Sequence, residues 1–355
     1  MSQIPGLPPS WLSAAEGWPM LYDMVNANQA ARAPDSPGVL GYWYNHGGIN
    51  NQKMALIGLL LSAIKDRQTT NLPYIYNKDL QTEQEYLVRL ENVFDLNLIR
   101  AFVERHSLTV QSACPSGQRG GWDYFYAYSR FINDPVERPT LSTTLAAISH
   151  LRPRIAFHPA FTDLRNFIFN SIGIDTVVQL RIESDWREHF ERGLRPRIGD
   201  AEHNGIGFLE ILSKVRNTFP DIRILYATAD ENALLSSKHE IRELCRSRLG
   251  IEVLWKSDLL NPALIGDLTP LDLSLIDFEI ARHASRFVGL TTSTFANMLC
   301  IEAFARTRKP VTGHFLYNHP SDRVMERKDN GFTSSVQLAI SPASAVPPPP
   351  EDDTP

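Results

Sequence analysis

Apolar positions along the chain follow two rhythms, and the change between them divides it. From Met54 the apolar residues Leu56, Ile57, Leu60, Leu61 and Ile64 recur at helical spacing, dense enough to bury most of a helix surface. Ahead of them Gly38 to Tyr44 reads as a strand and Asn45-His46-Gly47-Gly48 as a turn, with Asn50 or Asn51 placed to cap the helix. Leu72 to Tyr76 reads as the next strand, which completes a βαβ unit. Between residues 84 and 150 the pattern is weaker. Leu96 to Val103 is helical, and the Gly-rich polar segment Cys114 to Asp123 predicts no order.

The second half alternates cleanly. Strands are expected over Thr176 to Arg181, Asp221 to Thr228, Ile251 to Leu254 and Arg286 to Leu290. Helices are expected over Ser184 to Arg192, Ile206 to Thr218, Glu231 to Leu249, Asp272 to Ala284 and Ser293 to Ala305. Repeated βα units of this kind predict a parallel sheet covered on both faces. The tail from Ser341 is mostly proline, alanine and acid, has almost nothing to bury, and is expected to be disordered.

A length of 355 residues suits two domains better than one core. The boundaries expected are an N-terminal extension over 1–36, a Rossmann-like domain over 37–172, a second over 173–340 and a Pro-rich tail over 341–355. Apolar content of 43% with 21% charged residues fits a globular chain rather than a disordered one. The net charge of −5 offers no global basic field, so no nucleic-acid partner is expected and any anion must be held locally. Three widely spaced cysteines, Cys114, Cys245 and Cys300, form no CxxC pair and fit a reducing compartment. Met1 to Pro9 lacks a signal-peptide pattern, and the longest apolar run is too short to span a bilayer. The expectation is a cytoplasmic protein with no integral membrane segment.

Chemistry can sit at three strand ends. In the first, the glycines of Asn45-His46-Gly47-Gly48-Ile49-Asn50-Asn51-Gln52 would let the backbone approach a ligand, and the following helix offers free N–H groups; taken alone, a plain tight turn with a good cap is the favoured account. His46 is the turn's one titratable residue. In the second, the buried strand Val177-Val178-Gln179-Leu180 ends in Arg181, followed by Ile182-Glu183-Ser184-Asp185-Trp186. Ligands of open α/β sheets bind outside the carboxyl ends of strands, and a planar guanidinium there suits a phosphate. The plainer alternative is an Arg181–Asp185 salt bridge that only holds a loop. In the third, Phe287-Val288-Gly289-Leu290 ends in the hydroxyl run Thr291-Thr292-Ser293-Thr294 before Phe295, either a phosphate cradle at a helix start or ordinary capping. Upstream, Asp277 lies on a helix buried through Leu273, Ile276 and Ile280; it could accept from a guanine or simply be exposed. There is no GxGxxG, P-loop, GxSxG or HExxH pattern, and no catalytic metal is inferred.

Together these segments resemble the protein O-fucosyltransferase group and its bacterial and plant relatives. That group has a glycine turn with Asn, then a strand ending His-x-Arg-x-Gly-x-Asp-Trp, then a Ser-Ser-Phe-type helix start. The counterparts are Gly47-Gly48-Ile49-Asn50-Asn51-Gln52, Gln179 to Trp186, and Ser293-Thr294-Phe295; Phe94-Asp95-Leu96 and Leu225-Tyr226-Ala227-Thr228-Ala229-Asp230 match two further motifs. Order and rough spacing hold over about residues 38–310.

The resemblance implies an α/β, GT-B-like architecture: two Rossmann-like domains whose parallel sheets face a central cleft. It implies an inverting, metal-independent glycosyltransferase moving fucose from GDP-fucose to a hydroxyl of a glycan or protein, with no cofactor beyond the GDP-sugar donor. Arg181 would hold the β-phosphate, Ser293, Thr294 and Phe295 would contact the diphosphate, Asp277 would read the guanine, and Asn50 or Asn51 would sit at the donor–acceptor junction. Gly47, Gly48, Gln179, Asp185 and Asp230 complete the expected donor site. His46 is the candidate general base, because imidazole titrates near neutral pH. Two residues depart from the pattern: Gln179 replaces the His, and Glu183 replaces the Gly and brings negative charge beside the implied phosphate. A GT-B transferase using another nucleotide sugar, or an inactive relative that binds a glycan or partner protein, are the alternatives.

Overall fold

The computed structural model describes residues 25–26, 39–78, 84–111, 120–134, 136–137, 139–194, 205–260 and 268–331. Most of the expected extension over 1–36, Cys114 and the tail from Ser341 lie outside the described residues.

In the first half the elements are β1 (Val25–Asn26), β2 (Val39–Leu40), α1 (Ile49–Asp66), β3 (Thr69–Asn71), β4 (Ile75–Lys78), β5 (Glu85–Val88), α2 (Leu90–Val93), α3 (Leu96–Arg105), β6 (Val110–Gln111), α4 (Gly121–Asn133), α5 (Leu141–His150) and α6 (Pro159–Asn166). The βα pattern is present with a different return strand. β3 pairs parallel with β2, Val39 opposite Thr69, and β6 continues that sheet. Pro73, which has no N–H to donate, separates β3 from β4, and β4 instead pairs antiparallel with β5. The expected strand Leu72 to Tyr76 is therefore split between two sheets. α1 is capped at Gly48 rather than at Asn50 or Asn51, which both lie inside its first turn. α1 is buried nearly all round, as its apolar density requires, and lies against α4 so closely that a Cβ on Gly58 would stand 2.0 Å from the Tyr124 carbonyl oxygen.

The second half runs β7 (Thr176–Gln179), α7 (Ser184–His189), α8 (Phe208–Thr218), β8 (Ile224–Thr228), α9 (Lys238–Leu249), β9 (Glu252–Leu254), α10 (Lys256–Leu259), α11 (Pro270–His283), β10 (Arg286–Gly289), α12 (Thr294–Thr307), β11 (His314–Leu316) and β12 (Met325–Glu326). α9 begins at Lys238, not Glu231, because Ser237 caps it by accepting from the Glu240 amide. The Glu231 side chain instead accepts from the Ser257 amide and Lys238.

These strands form one sheet in the order β12-β11-β10-β7-β8-β9, parallel except for β12. The chain builds outward from β7 to β9, crosses back to β10 on the other side of β7, and builds outward again. β7 and β10 thus flank the point where strand order reverses, where open α/β sheets take their ligands. Alternation along the strands sets the two faces. Val178, Leu180, Leu225, Ala227, Val253, Val288 and Leu290 pack with α7, α8 and α9. Val177, Tyr226, Leu254 and Phe287 face the other way, toward α11 and α12, in a core that continues into α1, α4 and α5 of the first half. Among the described residues no helix is long and apolar enough to cross a membrane.

Candidate functional site

The reversal point brings together two of the expected donor residues. Gln179 ends β7 and Ser293 precedes α12, and the Gln179 Nε2 donates to Ser293 Oγ at 3.0 Å. Ser293 is the N-cap residue of α12 but makes no side-chain cap hydrogen bond. Ordinary capping is therefore not what its hydroxyl does, and the first-turn amides of α12 point out at the positive end of a 14-residue helix. Gln179 is 5% exposed, yet its Oε1 has no partner among the described residues. Thr228 stands opposite Gln179 in the β7–β8 register, is 3% exposed, and its Oγ1 likewise has no partner among them. A buried acceptor and a buried hydroxyl left unmatched beside a helix N-terminus are what a polar ligand would satisfy.

Arg181 lies just beyond β7, half-buried. Its Cζ is 4.7 Å from the centroid of the Trp186 ring, its Nη1 3.5 Å from Glu183 Oε1 and its Nη2 3.8 Å from Asp185 Oδ2. Asp185 is exposed, so that pair is weak. Glu183 is buried, and its Oε1 also accepts from the Asp230 amide at 3.2 Å. Burial pushes the Glu183 carboxyl up, against the opposing pull of Arg181 and the amides it accepts from. Glu183 thus braces Arg181 and ties the loop after β7 to the loop after β8. Asp230 is part of that tie: its own carboxylate accepts from the Asn232 amide at 3.1 Å.

The hydroxyl run is held from the far side. The Thr291 amide donates to Asn318 Oδ1 and Asn318 Nδ2 donates to Thr291 Oγ1, at 3.1 and 2.8 Å, so the loops after β10 and β11 are clasped together. Thr294 begins α12 and is half-buried. Phe295 packs between Phe278 and Phe287, which fixes it as a wall rather than a mobile contact.

Asp277 is buried, not exposed, and already has two partners. Tyr226 donates its hydroxyl to Asp277 Oδ1 at 2.6 Å and Lys256 donates to Oδ2 at 2.7 Å. Lys256 also donates to the Ala229 carbonyl at 2.5 Å. Burial works against the Lys256 ammonium, but Asp277 and Glu231 outweigh it and hold its pKa above the ordinary lysine value. Sequence reading found the carboxylate but not Lys256; a lysine directly following a buried strand was the available signal.

The glycine turn forms a second cluster. Gly47 donates its amide to Asn45 Oδ1 at 2.7 Å, and a Cβ there would stand 2.5 Å from that of Asn51. Gln52 accepts from the Tyr76 amide and donates to the Gly47 and Tyr76 carbonyls, which pins the turn to β4. Nothing lies within 4 Å of a Cβ on Gly48, so that side of the turn is open. His46 is exposed and stands edge-on to Tyr44 and Tyr76, which stack on each other at 5.6 Å. Asn50 is buried, and Asn51 keeps an unmatched buried Oδ1 among the described residues. None of these groups bonds to Arg181; the link between the clusters runs through α1 and α12, where Lys53 pairs with Glu302. No group of His, Cys, Asp and Glu among the described residues is arranged to hold a metal. The Cys245 and Cys300 thiols are pushed up to about 12 by burial, which removes them as nucleophiles. One open cavity of about 660 Å³ lies by α3 and β6, lined by none of the residues of either cluster.

No protein-family model matches the chain, and no curated protein does. Its structure is similar to crystal structures of POFUT1. With the complex with GDP the identity is 14% and the TM-score 0.47, over 77% of this chain and 96% of that one. With the complex with GDP-fucose the identity is 15% and the TM-score 0.48, over 77% and 96%.

Proposed function

We propose that the chain is an inverting glycosyltransferase that uses a nucleotide diphosphate sugar, GDP-fucose in the leading reading, on a GT-B-like scaffold. The observation that carries this reading is the Gln179–Ser293 hydrogen bond, which joins the end of β7 to the uncapped start of α12, with Arg181 two residues beyond Gln179 and the unmatched oxygens of Gln179 and Thr228 on adjacent strands. Three of the motifs through which the sequence resembles the O-fucosyltransferases, Gln179 to Trp186, Leu225 to Asp230 and Ser293 to Phe295, fall at the ends of β7, β8 and β10.

In this reading an acceptor hydroxyl attacks the anomeric carbon from the face opposite the diphosphate. The bond from that carbon to the β-phosphate oxygen breaks, and its electron pair leaves with the GDP. Charge that grows on the diphosphate is met by the Arg181 guanidinium and the α12 amides, fixed donors that need no rearrangement during the step. His46 takes the proton of the attacking hydroxyl, with Asn50 or Asn51 and the open side of Gly48 beside it. Trp186 and Glu183 hold the guanidinium in place, and Ser293, Thr294 and Phe295 shape the phosphate end. The acceptor is a glycan or protein hydroxyl, and a cytoplasmic location follows from the cysteine usage.

A second reading, transfer from another nucleotide sugar, is favoured by one observation. Both Asp277 oxygens are engaged by Tyr226 and Lys256, so guanine recognition there has to share an occupied carboxylate. A donor-hydrolysis screen across nucleotide sugars, with calorimetric binding of GDP, UDP and ADP, separates the two. GDP-fucose turnover supports the first reading; turnover confined to another donor supports the second. Absence of any nucleotide binding by the folded protein overturns both.

A further inference from the structure

The edge of the sheet opposite this crevice carries an excess of positive charge. α11 ends there with Arg282 and His283, α12 with Arg306, and Arg152 and Arg165 approach from the first half. Beneath them two carboxylates are fully buried. Glu279 receives Arg152 Nη2 at 2.9 Å and Arg282 Nη1 at 3.8 Å, and Glu302 receives Arg282 Nε at 3.1 Å together with Lys53. Those contacts account for three cations. Arg165 and Arg306 have no carboxylate partner among the described residues. Arg165 Nη1 instead lies 3.3 Å from His283 Nε2. His283 Nδ1 faces the Glu279 carbonyl at 2.8 Å and must donate to it, which leaves Nε2 bare to accept from Arg165. The histidine is thus neutral, as burial and the surrounding Arg282, Arg165 and Arg152 also demand: they bring its pKa down to about 4.

Five cations (Lys53, Arg152, Arg165, Arg282 and Arg306) therefore stand against two carboxylates, an excess of three. The carboxyl ends of α11 and α12 each supply about half a negative charge, which offsets roughly one. About two positive charges are left over in a partly dehydrated cluster, and like charges held this way repel. Arg306 is exposed at the rim of the cluster, and its guanidinium pKa is lowered by partial desolvation and then by Arg282 and Arg152, against the pull of Glu302 and Glu279. The buried Arg152 Nε also lacks a partner among the described residues.

We infer that this cluster is a binding site for a phosphate-like oxyanion, separate from the proposed donor crevice, with Arg165 and Arg306 as its contributed ligands. The buried pairs of Lys53, Arg282 and Arg152 with Glu302 and Glu279 hold the helices together. Arg306 forms no ion pair in that scaffold among the described residues, Arg165 joins it only through the neutral His283, and a dianion matches the charge left over. Free phosphate and a phosphate ester share this chemistry.

The test is thermal melting and calorimetry of the full chain with inorganic phosphate against chloride of equal ionic strength. Phosphate should raise the melting temperature of the wild type and of Arg181→Ala alike. Arg165→Gln and Arg306→Gln should each weaken phosphate binding about tenfold, the effect of losing one charged hydrogen bond. In phosphate-free buffer the same two variants should melt at or above the wild type, because a repelling charge is gone. Arg165→Lys and Arg306→Lys, which keep the charge, should retain most of the phosphate response. Glycerol phosphate alongside inorganic phosphate tells an esterified ligand from a free one, and tight binding of either supports the site. The inference falls if phosphate gives no shift beyond chloride, if the shift survives both glutamine variants, or if Arg181→Ala alone abolishes it. Because Arg181→Ala reports on the crevice, failure of the donor reading leaves this test intact.

Discussion

Arg181 Nη1 lies 3.5 Å from Glu183 Oε1, and the Glu183 side chain is 1% exposed. The Trp186 ring and the Glu183 carboxylate restrain the guanidinium, and 27% of the Arg181 side chain stays exposed. A charged group held this way before the ligand arrives needs little reorganisation when charge develops. Arg181→Ala should therefore lower turnover by a factor of about 10²–10³, on the order of 3–4 kcal/mol, and weaken GDP binding, with some loss of melting temperature because Glu183 is left buried without its cation. Arg181→Lys should recover only part, since an ammonium cannot donate two parallel bonds. Steady-state rates and GDP calorimetry on the three proteins check this. Unchanged turnover in Arg181→Ala would remove Arg181 from the chemistry.

Glu183 competes with a phosphate for the same guanidinium, and its titration sets a pH dependence. Burial raises the folded-state pKa above the ordinary carboxylate value, so the folded protein binds this proton more tightly than the unfolded chain. The sign is opposite to that of a salt-bridged carboxylate. Stability from this group is greatest below the ordinary pKa and declines as pH rises through the folded value. Glu183→Gln should abolish that decline and melt higher than the wild type near neutrality. GDP binding by the wild type should strengthen as pH falls through the folded pKa. In Glu183→Gln it should start about fivefold tighter, ~1 kcal/mol, and lose this component of the pH dependence. Parallel titrations of the two proteins isolate the term from the nucleotide's own protonation.

The second half was legible because each βα unit declares itself: Val177 and Val178 are apolar on both faces, and α12 follows its strand after a hydroxyl run. Local pattern also placed Arg181 and Ser293 at strand ends. It could not show that the two ends are neighbours, since the β7–β10 pairing joins residues more than 100 positions apart. The first half was less legible because its strands are only two to four residues long, too short for alternation to register. Pro73 was the overlooked signal that separates β3 from β4. Lys256, and the bracing part that Glu183 plays, escaped for another reason: charged residues read as solvated until a partner across the fold is known.

His46 stands exposed between the edges of two stacked tyrosines, next to the open side of Gly48. As the base, its removal should act on the chemical step alone. His46→Ala should lower kcat by about 10²–10⁴ and leave GDP affinity within error. His46→Gln should be equally impaired, because an amide keeps the hydrogen bond and loses the proton transfer. A rate within twofold of wild type in either variant would shift the base elsewhere.

Gly58 concerns stability rather than catalysis. A Cβ there would stand 2.0 Å from the Tyr124 carbonyl oxygen and 3.0 Å from the Tyr128 amide nitrogen, both backbone atoms that cannot swing aside. Alanine favours a helix over glycine by about 1 kcal/mol, so an unhindered site would gain stability. Here α1 and α4 must separate instead. Gly58→Ala should destabilise the fold by about 1–3 kcal/mol or more, and a urea midpoint at or above the wild type's would contradict the packing.

The Lys256–Asp277 pair lets stability and base recognition be told apart. Lys256→Met leaves the Asp277 carboxylate buried with only the Tyr226 hydroxyl, and should cost about 3–5 kcal/mol. Lys256→Met combined with Asp277→Leu removes both charges and should regain most of that loss, because well-packed apolar side chains replace buried ion pairs at little cost. The double variant then folds without the carboxylate. If Asp277 reads guanine, it should bind GDP, UDP and ADP with equal affinity while the wild type prefers GDP. If the preference for GDP persists in the double variant, Asp277 serves only the buried pair, and the base is chosen by other groups along the β7–β10 crevice.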